Sequence, residues 1–100
     1  MNIPHITARG DGCFLIEGAL VKDHVAALWS QGQQAWNGLT HVELDLSAVE
    51  QCDSAGLALL VDWLRIATHN GQRMVVVNMT GQIAGLVNLV ELDSVFSTSP

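Results

Sequence analysis

Polar and apolar positions alternate from the start of the chain, weakly at first, with Ile3, His5 and Thr7 set against Pro4, Ile6 and Ala8 up to Arg9. Gly10-Asp11-Gly12 follows, a turn by composition, and Cys13 to Glu17 is a short apolar run ended by Gly18. These two segments are expected to form a hairpin. From Val21 to Trp36 the period changes. Val21, Val25, Leu28, Trp29 and Trp36 recur at helical spacing, with Gly32 weakening the second half. His41 to Leu46 returns to period two, Val42, Leu44 and Leu46 alternating with Glu43 and Asp45, and predicts a strand. Ser47 to Cys52 loses the alternation and is expected to be a loop. Asp53 or Ser54 then caps a helix that runs to a glycine stop at Asn70-Gly71. Met74 to Val77 is continuously apolar, as for a strand covered on both faces. Thr80 can cap a third helix from Gly81 to Leu92, and Asp93 to Phe96 offers a last short strand before a loose tail, 96–100.

The order β-β-α-β-α-β-α implies right-handed crossovers between parallel strands, with an antiparallel hairpin at the start. The expected class is α/β: a mixed, mainly parallel sheet of four to five strands with about three helices packed on it. At 100 residues, the expected organisation is one domain over 1–100.

Charge and composition narrow the function. Apolar residues make up 49% and charged residues 14%, too apolar for a disordered chain. The formal charge is −6, and the four cations Arg9, Lys22, Arg65 and Arg73 are scattered. No basic patch for nucleic acid or anionic lipid is expected. The longest apolar run, Leu57 to Val61, is far short of the about 20 residues of a membrane span. Met1 to Gly10 lack a basic segment followed by an apolar one, so no signal peptide is expected. Cys13 and Cys52 form no C-x-x-C pair, which suits a reduced, intracellular setting.

Catalytic patterns are thin. No pair among His5, His24, His41 and His69 has the helical spacing of a zinc site, and no metal or cofactor is expected. Glu43 and Asp45 share the outer face of one strand, which alternation alone explains. Cys52 precedes Asp53, an acidic setting that does not activate a thiol. Ser54 lacks the G-x-S-x-G frame, because Cys52 stands where the first glycine belongs. There is no glycine-rich phosphate loop. A hydrolase using Ser54, Asp53 or Cys52 is therefore the disfavoured class, with no small-molecule substrate expected.

The stretch Asp53-Ser54-Ala55-Gly56-Leu57 stands out. One reading is a helix cap worth about 1 kcal/mol. The other is a regulatory hydroxyl, since a helix N-terminus tolerates a phosphate and phosphorylation of Ser54 would place negative charge there. Projected at about 100° per residue, Leu57, Leu60, Val61 and Leu64 form a core face. Ser54, Ala58, Asp62, Arg65 and His69 form a polar stripe. Leu59, Trp63 and Ile66 fall on a third, surplus apolar sector. That sector either packs against a neighbouring helix or is a protein contact. Trp29 and Trp36 lie seven residues apart, on one face of the first helix, and read as core.

The run Val42-Glu43-Leu44-Asp45-Leu46-Ser47, a short connection, and Asp53-Ser54-Ala55-Gly56-Leu57-Ala58-Leu59-Leu60 resembles the strand and helix hallmark of STAS domains, the sulfate-transporter and anti-sigma-factor-antagonist family. The continuation Val61-Asp62-Trp63-Leu64-Arg65, and Ile83 to Asp93, resemble the small STAS subunit of the bacterial Mla phospholipid-transport ABC complex. That resemblance implies a non-catalytic, cytoplasmic subunit at the inner face of the inner membrane. It would bind the transporter's ATPase, and through it the permease, and so support outer-membrane lipid asymmetry. It also implies that Ser54 lies in the ATPase contact, with its neighbours Asp53, Ala55 and Gly56. Leu59 and Trp63 join this set from the surplus sector alone. The alternative branch is an anti-sigma-factor antagonist, in which the serine of Asp-Ser-x-Gly, here Ser54, is phosphorylated.

Overall fold

The structure, a computed structural model, describes residues 3–89. Two strands, β1 (His5–Gly10) and β2 (Cys13–Leu20), lead into a 3-10 turn (Lys22–His24) and helix α1 (Val25–Ala35). Strand β3 (His41–Cys52), helix α2 (Ser54–His69), strand β4 (Arg73–Val77) and helix α3 (Gly81–Leu89) complete it. The sheet order is β1-β2-β3-β4, antiparallel across β1/β2 and parallel across the other two pairs. The α/β class and the mixed, mainly parallel sheet are as expected, with four strands and three helices among the described residues. The strand expected over 93–96, the tail at 96–100 and the helix beyond Leu89 lie outside the described residues.

The segment Ser47 to Cys52 is not a loop. It is the second half of β3, and its pairing explains why the alternation disappears. Leu15 faces Asp45, Glu17 faces Ala48, Gly18 faces Val49 and Ala19 faces Gln51. Twice, β3 spends one residue more than β2, the signature of a bulge. Each bulge shifts the inward positions by one, so burial falls at Leu46, Val49 and Cys52 rather than at every second residue. Gly18 does not end β2 either. It takes φ +93° inside the strand, next to the second slip, and the pairing runs on to Leu20↔Cys52.

The first helix begins later than the spacing predicts. Val21 is extended (φ −126°, ψ 163°), and a 3-10 turn precedes Val25. Trp36 already lies beyond the α-helix. This parts the two tryptophans expected in the core: Trp36 is 1% exposed, Trp29 40%. Trp36 turns inward to meet Phe14 edge-on (centroids 5.5 Å) and Trp63 edge-on (5.0 Å). The stack ties β2, the end of α1 and α2 together. Gly32 permits it, because a Cβ there would lie 2.6 Å from the Trp36 ring and 2.7 Å from Trp63.

The surplus sector of α2 is settled by the same contact. Trp63 is 0% exposed and Leu59 4%, with Ile66 half-buried. The sector packs inside the chain, and Trp63, expected as a partner contact, is a core residue. On β4, Met74 and Val76 are buried on one face and Val77 on the other, with only Val75 half-buried, so both faces are covered as expected. Helix α2 ends in a Schellman arrangement: Gln72 N donates to Ala67 O at 2.8 Å and Gly71 N to Thr68 O at 3.2 Å. Gly71 supplies the left-handed φ of +74°.

Trp63→Ala should cost about 3–5 kcal/mol of unfolding free energy. Trp63→Phe should cost much less, because the indole N–H has no hydrogen-bond partner to lose. Trp29→Ala, at an exposed position, should stay within about 1 kcal/mol. Urea denaturation of the three variants checks this ranking.

Candidate functional site

Asp53, of the two candidate caps, is the N-cap of α2. Its backbone is extended, and its Oδ1 accepts from Gly56 N at 2.9 Å. Its Oδ2 accepts from Lys22 N at 3.0 Å, across the fold, and its own N–H donates to Leu20 O at 3.2 Å. Gly56 is required by proximity: a Cβ there would strike the backbone carbonyl of Leu20. The first turn of α2 is therefore set hard against the end of β2. The Gly56 bond holds the Asp53 carboxyl below the usual carboxylate range. Burial works against this shift, and the Lys22 N–H adds to it.

This leaves Ser54 as the first α-helical residue, exposed, with no side-chain hydrogen bond among the described residues. Ala58, Asp62, Arg65 and His69 are exposed with it, so the polar stripe lies where the projection puts it. Beside the stripe runs a shallow groove of about 320 Å³ between α1 and α2, lined by Val25, Ala26, Trp29, Ala55, Ala58, Leu59 and Asp62. Leu59 contributes to its floor although little of it is open to solvent. Of the expected contact residues, Asp53, Ser54 and Ala55 cluster at the start of α2 with Leu59 one turn on. Gly56 is buried beneath them, and Trp63 is turned away into the core. The α1 wall of the groove, Val25, Ala26 and Trp29, is not part of the site expected from sequence. Its signal is the pairing of Val25 with Trp29 four residues on, together with alanines on both helices.

A second hollow, about 390 Å³, opens at the opposite end of α2 around Gln33, Asn37, Thr40, Asn70 and Gln72. The Gln72 side-chain amide already spans it, donating to Trp36 O at 2.9 Å and Leu39 O at 2.8 Å. These bonds anchor the α1–β3 connection, and none of the expected site residues lies there.

The candidate reactive groups are occupied or quiet. Burial, then the neighbouring Asp53 charge, pushes the Cys52 thiol up to about 11, so it stays protonated at neutral pH. Cys13 is also raised, by burial first and then by Glu43, whose Oε2 lies 3.6 Å from its sulfur. Asp45 accepts from Arg9 at 3.1 Å, from Ser47 N at 2.9 Å and from Asn78 at 3.2 Å. Burial raises its pKa, but these bonds outweigh burial and hold it below the usual range. Among the described residues no three His, Cys, Asp or Glu side chains gather as a metal site. Nor is any described helix long and apolar enough to cross a membrane.

The sequence profile of the family described as "Mlab, STAS domain" matches residues 9–97. The chain belongs to this STAS family. Its curated relatives include the "Intermembrane phospholipid transport system binding protein MlaB" of Escherichia coli K12, 30% identical over 77 residues, 77% of each chain. Solved STAS structures share the fold. The unphosphorylated anti-sigma factor antagonist SpoIIAA superposes with a TM-score of 0.73 at 14% identity, over 97% of this chain and 88% of that one. An anti-sigma factor antagonist from Mycobacterium paratuberculosis superposes with a TM-score of 0.64 at 24% identity, over 97% and 84%.

Two outcomes follow from the ionisation of the site. Asp45 and Asp53 have folded-state pKa values below the unfolded value of 3.8. The stability they contribute is present above that value and is lost as pH falls through their folded values. Asp45→Asn/Asp53→Asn should therefore show a flatter decline of stability than the parent in acid denaturation below about pH 4. Cys52 should resist a thiol-specific disulfide reagent at pH 7.5 in the folded protein and react once unfolded.

Proposed function

We propose that the chain is a non-catalytic STAS subunit, one domain over 1–100, that binds the ATPase of an ABC transporter moving phospholipid, and so supports outer-membrane asymmetry. In this reading it works in the cytoplasm, held at the inner membrane through that ATPase and its permease. The observation that carries it is the exposed start of α2 at Ser54, continuous with an apolar groove and close to a Cys52 thiol that burial keeps protonated. Such a surface binds a protein: an apolar strip with an indole on its lip, bordered by a small hydroxyl and a carboxylate. The kinship with the intermembrane phospholipid transport system binding protein of E. coli supports a partner within a transport system of that kind.

Asp53 is spent on internal bonds in this reading, and Gly56 provides the close approach. Ser54, Ala55 and Leu59, with Trp29 from α1, make the contact. The second reading, an antagonist controlled by phosphorylation of Ser54, draws on the unbonded, exposed hydroxyl and the shared fold. Intact mass of the chain from its own cells separates the two, since the antagonist requires a phosphorylated species at Ser54.

Isolation of the tagged chain from its own cells should bring down an ABC ATPase with a permease in fixed ratio. Ser54→Arg should abolish this complex, because an unpaired guanidinium would be desolvated in the contact. Trp29→Ala should weaken it by about 2 kcal/mol or more. Both variants should retain the far-UV spectrum of the parent. A normal complex with Ser54→Arg removes this surface from the interface.

A further inference from the structure

Helices α1 and α2 pack closely at one end of the groove and leave an open strip between them along its length. The close end is the tryptophan contact, Trp36 against Trp63 at 5.0 Å. Along the groove the facing residues include Ala26, Ala55 and Ala58, whose methyl groups leave a gap rather than interlocking. At the other end the main chain of Asp53 and Gly56 is seated on Leu20, and one side chain adds a tie that reaches past it to the approach to α1. Asp53 is the only described residue whose side chain bonds both the first turn of α2, through Gly56 N, and the approach to α1, through Lys22 N. Lys22 opens the 3-10 turn that continues directly into Val25 of the groove wall.

We propose that Asp53 is a positioning residue for partner docking: its carboxylate pins the two walls of the groove at the width the partner reads. A cap needs one oxygen. The second oxygen, on Lys22 N, is not needed to cap α2 and reaches instead to the segment that leads into α1. Both bonds are charge-assisted, and the carboxylate is ionised at neutral pH. This role rests on the docking reading above, but its structural half does not need a partner to be read.

The test separates the two oxygens. Asp53→Ser keeps an acceptor for Gly56 N and cannot also reach Lys22 N. Lys22→Pro deletes that N–H and leaves Asp53 intact. It suits the backbone, because Val21 is already extended and Lys22 begins a helical turn. Lys22→Ala keeps the N–H, loses the charge and serves as the control. Amide hydrogen exchange on the full chain without partner should accelerate at residues 27–29 in Asp53→Ser and Lys22→Pro, but not in Lys22→Ala. Calorimetric titration with the ATPase should show each of the first two about tenfold weaker, and the double variant no weaker than either single one. Unchanged exchange at residues 27–29 overturns the clamp, whether or not any ATPase binds. Accelerated exchange with no ATPase binding by the parent keeps the clamp and sinks the docking reading. Parent-like affinity in Lys22→Pro, or additive losses in the double variant, overturns the positioning role.

Discussion

The first turn of α2 lies so close to the last carbonyl of β2 that no side chain fits between them, and most of the site follows from that contact. Gly56 against Leu20 O fixes where the helix starts and at what height above the sheet. With the turn seated there, the Asp53 N–H reaches Leu20 O and its carboxylate reaches Lys22 N. Ser54, one residue along, is left facing outward. Glycine at this third helical position forgoes the reciprocal Glu or Gln cap and some helix propensity, at a cost of about 1 kcal/mol. The return is a helix N-terminus registered directly on main chain rather than through adjustable side chains.

The bulged half of β3 serves the same end. The register that pairs Cys13 with Glu43, continued without a slip, would bring Glu50 rather than Cys52 beside Leu20. Two extra residues in β3 carry Cys52 there instead, one residue ahead of the cap. Bulges sharpen local twist and re-aim a strand end. The Cys52 N–H is then taken by the side chain of Gln82 at 3.1 Å, which joins the start of α3 to the same corner. Three elements thus converge on the Asp53–Ser54 junction, and its geometry is shared among them.

Much of this is legible in the residues, and the failures have local causes. The α/β order, the hairpin turn, the cap and the polar stripe on α2 each follow from a short-range pattern, and each is found. The Ser47–Cys52 strand is hidden in the sequence because two bulges turn period two into period three. Trp63 is misplaced by a helical projection because the projection gives a sector's direction, not what covers it. The covering residue, Trp36, sits just past its own helix, where phase arguments end. Gly32 reads as a defect in α1 until the rings it admits are seen. The α1 wall of the groove is built of ordinary residues, Val25 and Ala26, whose role emerges only when two helices lie side by side. Family likeness points to Ser54, while the groove beside it is a tertiary fact.

The unequal fates of the three tryptophans have an optical consequence. Trp36 and Trp63 are sealed together, ring edge to ring face, so their emission is shielded from water and from quenchers in solution. Trp29 alone stands at the lip of the groove, half in solvent. The long-wavelength part of the intrinsic fluorescence therefore belongs to one known position. The chain carries a built-in reporter for whatever settles between its first two helices, and needs no attached dye to read it.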